Sequence, residues 1–224
     1  VETCGMTVAT LYPADRTLVE WYETFVARMK EEEWFKDSPS FVYPSQALHC
    51  TVATLVDFIF LHNKPPVDIP FLADLWREAI RNVLASLPDF QDHLVPSSSP
   101  SVVSLVGLSP VTLRMKRPRM TSNCAILEFE EEETEGVFSL ASFREVIKKA
   151  FVGDVEKFYE QHLSDNHHFR IPTIIHSTFL RVFDDMDETQ ASRFRAGFEE
   201  FVEREWPKEG LVLSPVTSFI LAHE

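Results

Sequence analysis

The stretches Leu48-His49-Cys50-Thr51-Val52-Ala53-Thr54-Leu55 and Ile174-Ile175-His176-Ser177-Thr178-Phe179-Leu180-Arg181-Val182 decide how this chain is read. Each is a run of apolar and β-branched residues with a His-x-Thr triplet near its start, a composition that fits a pleated, half-buried strand. Because strand side chains alternate, His49 and Thr51 share one face while Cys50 and Val52 share the other. The same holds for His176 and Thr178 against Ser177 and Phe179, so each strand presents an imidazole beside a hydroxyl. Cys50 is assigned to the packed side and is not read as a nucleophile. A bare His-x-Thr triplet is common by chance in a chain with 8 His. What distinguishes these two is that both continue into apolar strands, one in each half of the chain. The near match His162-Leu163-Ser164 stands at a helix end and runs into polar residues.

Around these strands the sequence reads as strands and helices mixed, with no repeated βαβ period. Gly5–Tyr12 reads as a strand stopped by Pro13. Asp15 is placed as the cap of a helix whose apolar positions Leu18, Trp21, Tyr22, Phe25, Val26 and Met29 recur at helical spacing. The second strand is placed at Ala47–Phe60, a loop at His62–Pro70, and a second helix from Phe71 to Leu84, ended by Pro88. Pro96–Pro100 is a loop. Strands at Ser101–Met115 and Asn123–Phe129 are joined by Lys116-Arg117-Pro118-Arg119, read as a hairpin with a basic tip. Helices follow at Val137–Phe151 and Val155–Leu163, then a strand at Pro172–Phe183. A helix at Asp187–Trp206 opens on a capping box of Asp187 with Gln190, and Leu211–Ala222 forms a last strand or hairpin. The fold class is α+β with mainly antiparallel sheets.

Composition narrows the function. With 224 residues, 45% hydrophobic and 12% aromatic, the chain can bury a full core. A net charge of −14 argues against coating long nucleic acid, which needs a broad basic face. A small anionic substrate is compatible, because a few local donors outweigh a diffuse field. Three cysteines, Cys4, Cys50 and Cys124, fit neither a disulfide framework nor a CxxC metal site. With 6 Gly, neither the dinucleotide fingerprint nor the P-loop occurs. No apolar run approaches the roughly 20 residues of a membrane span. The scattered cysteines fit a reducing compartment and no signal peptide is visible, so localisation is expected to be cytoplasmic or nuclear, while the start at Val1 rather than Met is compatible with a trimmed upstream segment.

The paired motifs resemble those of the two-histidine (2H) phosphoesterase superfamily, which includes RNA 2′,3′-cyclic phosphodiesterases and 2′-5′ RNA ligase-like proteins. Tyr43-Pro44-Ser45-Gln46-Ala47-Leu48-His49-Cys50-Thr51 resembles the family's loop entering its first motif. His176-Ser177-Thr178-Phe179-Leu180-Arg181 resembles the form in which an Arg follows the second His by five positions. The resemblance implies a single two-lobed domain over residues 1–224, with antiparallel sheets flanking a central cleft and helices on the outer faces. It further implies a metal-independent phosphodiesterase without a cofactor, acting on a small nucleotide or short RNA ester. The substrate bond would be a 2′,3′-cyclic phosphate or a 2′-5′ linkage. The catalytic set it implies is His49, His176, Thr51 and Thr178, in a monomer with no membrane partner. One departure stands out. The family's first strand often carries an aromatic that stacks on the base, and Thr7 and Val8 occupy that part of this chain.

The chemistry of the pair is consistent with that implication. Opening a cyclic phosphodiester needs a base to take a proton from water and an acid to protonate the leaving oxygen. Two imidazoles with ordinary pKa near ~6.5 can divide those roles, though sequence does not say which is which. Thr51 and Thr178 can donate hydrogen bonds to the non-bridging oxygens. Arg181 can add a cation at the phosphate, provided that a bulge or the strand end turns it toward the His face. Tyr43 and Tyr12 are candidates to stack on a base. Arg114, Lys116, Arg117 and Arg119 form the basic cluster, read first as a solvated hairpin tip and second as a steering patch. His167 and His168 beside Asp165 are assigned to a surface loop rather than a metal site, and Asp184-Asp185-Met186-Asp187 to a strand-to-helix turn. Two other readings stay open: a non-catalytic module that binds a nucleotide or RNA end, and a 3′-end exonuclease that leaves a cyclic phosphate.

Overall fold

In a computed structural model the described residues are 3–10, 16–36, 38–60, 68–87, 111–132, 139–163, 169–182, 186–207, 210–213 and 219–223. Tyr12, Asp15, Pro88, the Pro96–Pro100 loop, Asp165, His167, His168, Asp184 and Asp185 lie outside them, as do most of the His62–Pro70 loop and the first part of the expected Ser101–Met115 strand. The architecture is mixed α+β. Strands β1 (Thr3–Thr10), β3 (Cys50–Phe60) and β9 (Phe219–His223) form one sheet in the order β3-β1-β9. Strands β2 (Ser40–Val42), β4 (Leu113–Met115), β6 (Cys124–Glu131), β7 (Ile175–Val182) and β8 (Leu211–Val212) form a second in the order β2-β7-β6-β4-β8, and the short β5 (Arg119–Met120) also pairs with β6. Every pairing between these strands is antiparallel.

The helices form where apolar stripes and caps coincide. Helix α1 (Arg16–Glu31) buries Leu18, Tyr22, Phe25, Val26 and Met29, the stripe its spacing predicts. Helix α3 starts earlier than expected, at Ile69, because Asp68 caps it by accepting from the Phe71 amide at 2.9 Å and Pro70 fits the first turn. Helices α4 (Leu140–Phe151) and α5 (Asp154–His162) follow one another, and α6 (Glu188–Glu205) opens on the expected capping box. There the Gln190 amide donates to Asp187 Oδ1 at 2.8 Å and the Asp187 amide donates to Gln190 Oε1 at 3.1 Å. The short α2 (Glu33–Lys36) lies against α6.

Three expectations need correction. The basic stretch 116–119 is not a hairpin tip. The chain stays alongside β6 through β5 and turns at Thr121, where the Thr121 amide donates to the Cys124 carbonyl at 2.7 Å. Nor do residues 211–222 form a hairpin, since β8 pairs with β4 in one sheet while β9 pairs with β1 in the other. The second strand also begins later than expected. A 3-10 turn at Ser45–Ala47 precedes it, and Pro44 ahead of that turn supplies its extended entry.

One aromatic core underlies β7. Phe179 meets Tyr22 and Phe25 edge-on with ring centroids 6.0 and 6.2 Å apart, and Phe25 meets Phe201 of α6 at 4.9 Å. Trp34 of α2 continues this cluster, edge-on to Phe194 at 5.0 Å. Gly197 makes that contact possible, since a Cβ there would lie 2.3 Å from Trp34 Cγ. Gly197→Ala gains roughly 1 kcal/mol of helix propensity but overpacks a filled site at a cost of about 1–3 kcal/mol. The variant is therefore expected to melt below wild type in thermal denaturation, and a raised Tm would refute the close approach.

Candidate functional site

His49 owes its orientation to the 3-10 turn before it. The turn leaves the Ala47 carbonyl free of a backbone ladder, and His49 Nδ1 donates to it at 2.9 Å. That bond fixes which ring nitrogen is protonated and leaves Nε2 to meet a ligand. Just upstream, Tyr43 continues the pairing of β2 with β7, its amide donating to the Phe179 carbonyl at 2.9 Å. The Tyr43 carbonyl accepts from the hydroxyl of Tyr22, which burial keeps protonated. Thus residues 42–50 carry the chain from one sheet to the other, with Tyr43 anchored in the first and His49 at the entry to the second.

The expected alternation holds at both motifs. Cys50 and Val52 are buried while His49 and Thr51 are half-buried, and Ser177 and Phe179 are buried while His176 and Thr178 are half-buried. Burial also pushes the Cys50 thiol pKa up, which keeps it inert.

Beyond Thr178 the alternation breaks. Ile126 opposes Thr178 and Ala125 opposes Leu180, so β7 has one more residue than β6 across this step. The extra residue makes a β-bulge, and its signature is two consecutive fully buried side chains, Phe179 and Leu180. Arg181 therefore returns to the half-exposed face of His176 and Thr178, as its expected role requires. Its Nε donates to the Tyr43 hydroxyl at 2.8 Å. Two expected ligand-binding residues, Arg181 and Tyr43, are thus brought together beside the motif.

The two motif strands run past one another in opposite senses. At one end the His49 amide donates to Ser177 Oγ at 3.3 Å. At the other, Thr54 and Arg170 exchange both backbone hydrogen bonds, at 2.8 and 2.9 Å. Between these points the gap is filled by a residue that sequence reading did not single out. Arg144, half-buried on α4, donates from Nε to the Val52 carbonyl of β3 at 3.3 Å and from Nη2 to the Ile174 carbonyl just before β7 at 3.0 Å. Glu131 sets the helix that carries it by accepting from the Leu140 amide with both carboxylate oxygens at 3.1 Å. The readable signal was a breach of pattern. Positions 140, 143, 144 and 147 make the apolar stripe of α4, and three of them are Leu140, Phe143 and Ile147 while the fourth is an arginine.

The two imidazoles are not equivalent. Burial pulls the His176 pKa down. The Ile174 carbonyl opposes this, and the positive charges of Arg144, Arg119 and His49 add to it. The Ile174 carbonyl also accepts from Arg144 at 3.0 Å, and His176 Nδ1 is buried without a well-formed hydrogen bond. An imidazolium has two N–H groups to satisfy, so this environment favours the neutral ring.

The basic cluster is neutralised by carboxylates. Arg114 pairs with Glu132, Lys116 with Glu130, Arg117 with Glu203 and Arg119 with Glu128. Glu128 stands directly opposite His176 on β6 and is held by Arg119 at 2.6 Å. The cluster is neither a hairpin tip nor a free patch but a ladder of ion pairs along β4, β5 and β6, extended to α6. A small cavity lined by Met120, Asn123, Val182, Phe194 and Arg195 lies beyond the far end of β7 and contains no imidazole. Among the described residues, no three His, Cys, Asp or Glu side chains cluster in a way that could hold a metal ion, and no helix is long and apolar enough to cross a membrane.

No protein-family model, curated protein or solved structure matches the chain.

The asymmetry of the two histidines is directly measurable. In an NMR titration His176 is expected to deprotonate below the ordinary value of about 6.5. Arg144→Met removes a nearby positive charge, so the His176 pKa should move upward, whereas Arg144→Lys should preserve much of the electrostatic effect. A His176 pKa unmoved by Arg144→Met would show that the guanidinium does not act on the ring.

Proposed function

We propose that the chain is a metal-independent phosphodiesterase of the two-histidine type, hydrolysing the 2′,3′-cyclic phosphate or 2′-5′ linkage of a small nucleotide or short RNA. The observation that supports this best is the meeting of two His-Thr pairs, from two different sheets, on the half-exposed side of adjoining strands. On this reading the sheet of β1, β3 and β9 and the sheet around β7 are the two lobes of the family's fold, and the seam between β3 and β7 is the floor of its cleft.

The environment divides the roles. His176, kept neutral by burial and neighbouring cations, accepts the proton of the attacking water. His49, with Nδ1 bonded to Ala47, is left to give a proton to the ribose oxygen as its bond to phosphorus breaks. Water supplies the new P–O bond, and the two protons pass to and from the rings, so the step balances without a cofactor. The hydroxyls of Thr51 and Thr178 donate to the non-bridging oxygens, where a donor acts on the charge of the transition state. Because the strands run in opposite senses, the two hydroxyls flank the imidazole pair. Arg144 touches no substrate in this scheme. It is a positioning residue that holds the two motif strands in register. The pairing of Arg114, Lys116, Arg117 and Arg119 with carboxylates leaves little free positive charge along this ladder, which suits a short substrate better than a long nucleic acid.

The test is hydrolysis of the four nucleoside 2′,3′-cyclic phosphates and a 2′-5′ linked dinucleotide in the presence of EDTA. His49→Ala and His176→Ala should each reduce turnover by roughly 100-fold or more, and a variant that keeps a near-normal rate removes that histidine from the mechanism. Loss of activity in EDTA with rescue by a divalent ion would contradict a scheme built on two imidazoles. Thr51→Ala and Thr178→Ala should each lower kcat by about 100-fold with a smaller effect on KM. Because the base must be unprotonated, kcat/KM should fall on the acid side only below about pH 6.5. A wild type inert on every small substrate would move the reading to a nucleotide-binding module or to a nuclease that needs a longer RNA 3′ end.

A further inference from the structure

The bulge in β7 has a second consequence, on the edge strand beside it. Past the bulge, Phe41 of β2 pairs directly with Arg181, and Val42 with Leu180. Directly paired residues share a face, so Val42 follows Leu180 toward the core while Phe41 and Tyr43 stand with Arg181 on the side of His176 and Thr178. Phe41 is 47% exposed, among the more exposed large apolar side chains of the described residues. Single exposed phenylalanines are ordinary on protein surfaces, but this one is held in place. Its ring meets Tyr43 edge-on with centroids 5.1 Å apart, and the Tyr43 hydroxyl fixes Arg181 by the 2.8 Å bond to Nε. The result is a solvent-facing aromatic ring braced by a phenol and a guanidinium, within about 10 Å of Thr178 along the strand. That is the reach of a ribose with its base when the phosphate lies between the two histidines. The sheet's other side of the site offers no such surface on β1, where the corresponding residue is Thr7, its hydroxyl bonded to the Ala53 carbonyl at 2.9 Å.

We infer that Phe41, braced by Tyr43 and Arg181, is the platform on which the substrate's nucleobase stacks. The inference rests on the phosphodiesterase reading and adds to it the element that recognises the base. Stacking on a ring face tolerates any base, so this platform selects nucleotides over sugar phosphates and discriminates weakly among the four bases. It also separates two functions along β7: residues before the bulge handle phosphate, and the residue after it helps hold the base.

The experiment compares kcat/KM for nucleoside 2′,3′-cyclic phosphates with that for methyl riboside 2′,3′-cyclic phosphate, which has no base. Wild type should prefer the nucleotides, and Phe41→Ala should reduce that preference by ~10- to 100-fold for all four bases, while Phe41→Trp keeps it. Retention of the full preference in Phe41→Ala overturns the platform, and so does an equal loss on both substrates, which would reveal a structural role instead. Should wild type turn over none of these substrates, the phosphodiesterase reading fails separately, and the platform is read by binding. Nucleoside 2′- and 3′-monophosphates should then quench the added tryptophan fluorescence of Phe41→Trp, and no quenching beyond that of wild type would overturn it.

Discussion

The guanidinium of Arg144 is the interaction on which the site depends. The two sheets meet at β3 and β7 without a continuous backbone ladder, and Arg144 reaches a carbonyl on either side of the seam. A buried carbonyl left unsatisfied costs about 1–3 kcal/mol, and here one planar cation satisfies two, Val52 on β3 and Ile174 before β7. Arginine suits this task because its fork presents donors in several directions while remaining charged when half-buried. Lysine would bring the charge without the span. The cost of holding that charge out of water is offset by the two carbonyl bonds and by the charge of nearby Glu131, which in turn anchors the first turn of α4. Strand seam, helix terminus and cation are therefore one unit.

What surrounds that unit is built to keep it rigid. On the β3 side, the Tyr159 hydroxyl donates to the Leu55 carbonyl and accepts from Trp76 Nε1 at 3.0 Å, tying α5 and α3 to the strand that carries Thr51. On the β7 side, the packed face holds the buried Ser177, Phe179 and Leu180, and Phe179 rests on the aromatic rings of α1 and α6. Ser177 is the one polar residue of that face, and its hydroxyl accepts from the His49 amide across the seam. The motif's middle residue thus has its own use. In the first motif it is a buried thiol; in the second it is the hydroxyl that joins the two motifs.

Features set by local chemistry were legible in the sequence: the capping box of α6, the stripe of α1, and the alternation that sends His and Thr one way and Cys or Ser the other. Features set by pairing between distant strands were not. The bulge at Phe179 exists only as a mismatch of register between β7 and β6, and no property of the β7 sequence alone announces it, although the exposed Arg181 demanded one. The division of 211–223 between two sheets is likewise a matter of partners, because either short strand reads the same whichever edge it joins. The basic cluster misled for a related reason. Four cations close in sequence looked like a tip, yet the glutamates that neutralise three of them lie opposite on β6 and its continuation, and the fourth lies on α6. Arg144 stands in a stripe whose other positions are apolar, and its partners, the carbonyls of Val52 and Ile174, are 92 and 30 residues away in the chain, so only the break in the stripe marks it locally.

The near-equivalence of the two motifs makes their difference instructive. Each histidine faces the carbonyl two residues before it, Ala47 for His49 and Ile174 for His176. In the first motif a 3-10 turn leaves that oxygen to the imidazole, whose Nδ1 proton is thereby fixed. In the second, Arg144 shares the oxygen, His176 Nδ1 has no well-formed hydrogen bond, and burial first and then the nearby cations disfavour the charged ring. One side chain thus does two things at once: it spans the seam that brings the histidines together, and its charge adds to the burial that holds the His176 pKa down. In the proposed two-imidazole scheme this bias bears on which ring does what, because the ring held toward its neutral form is the one suited to accept a proton.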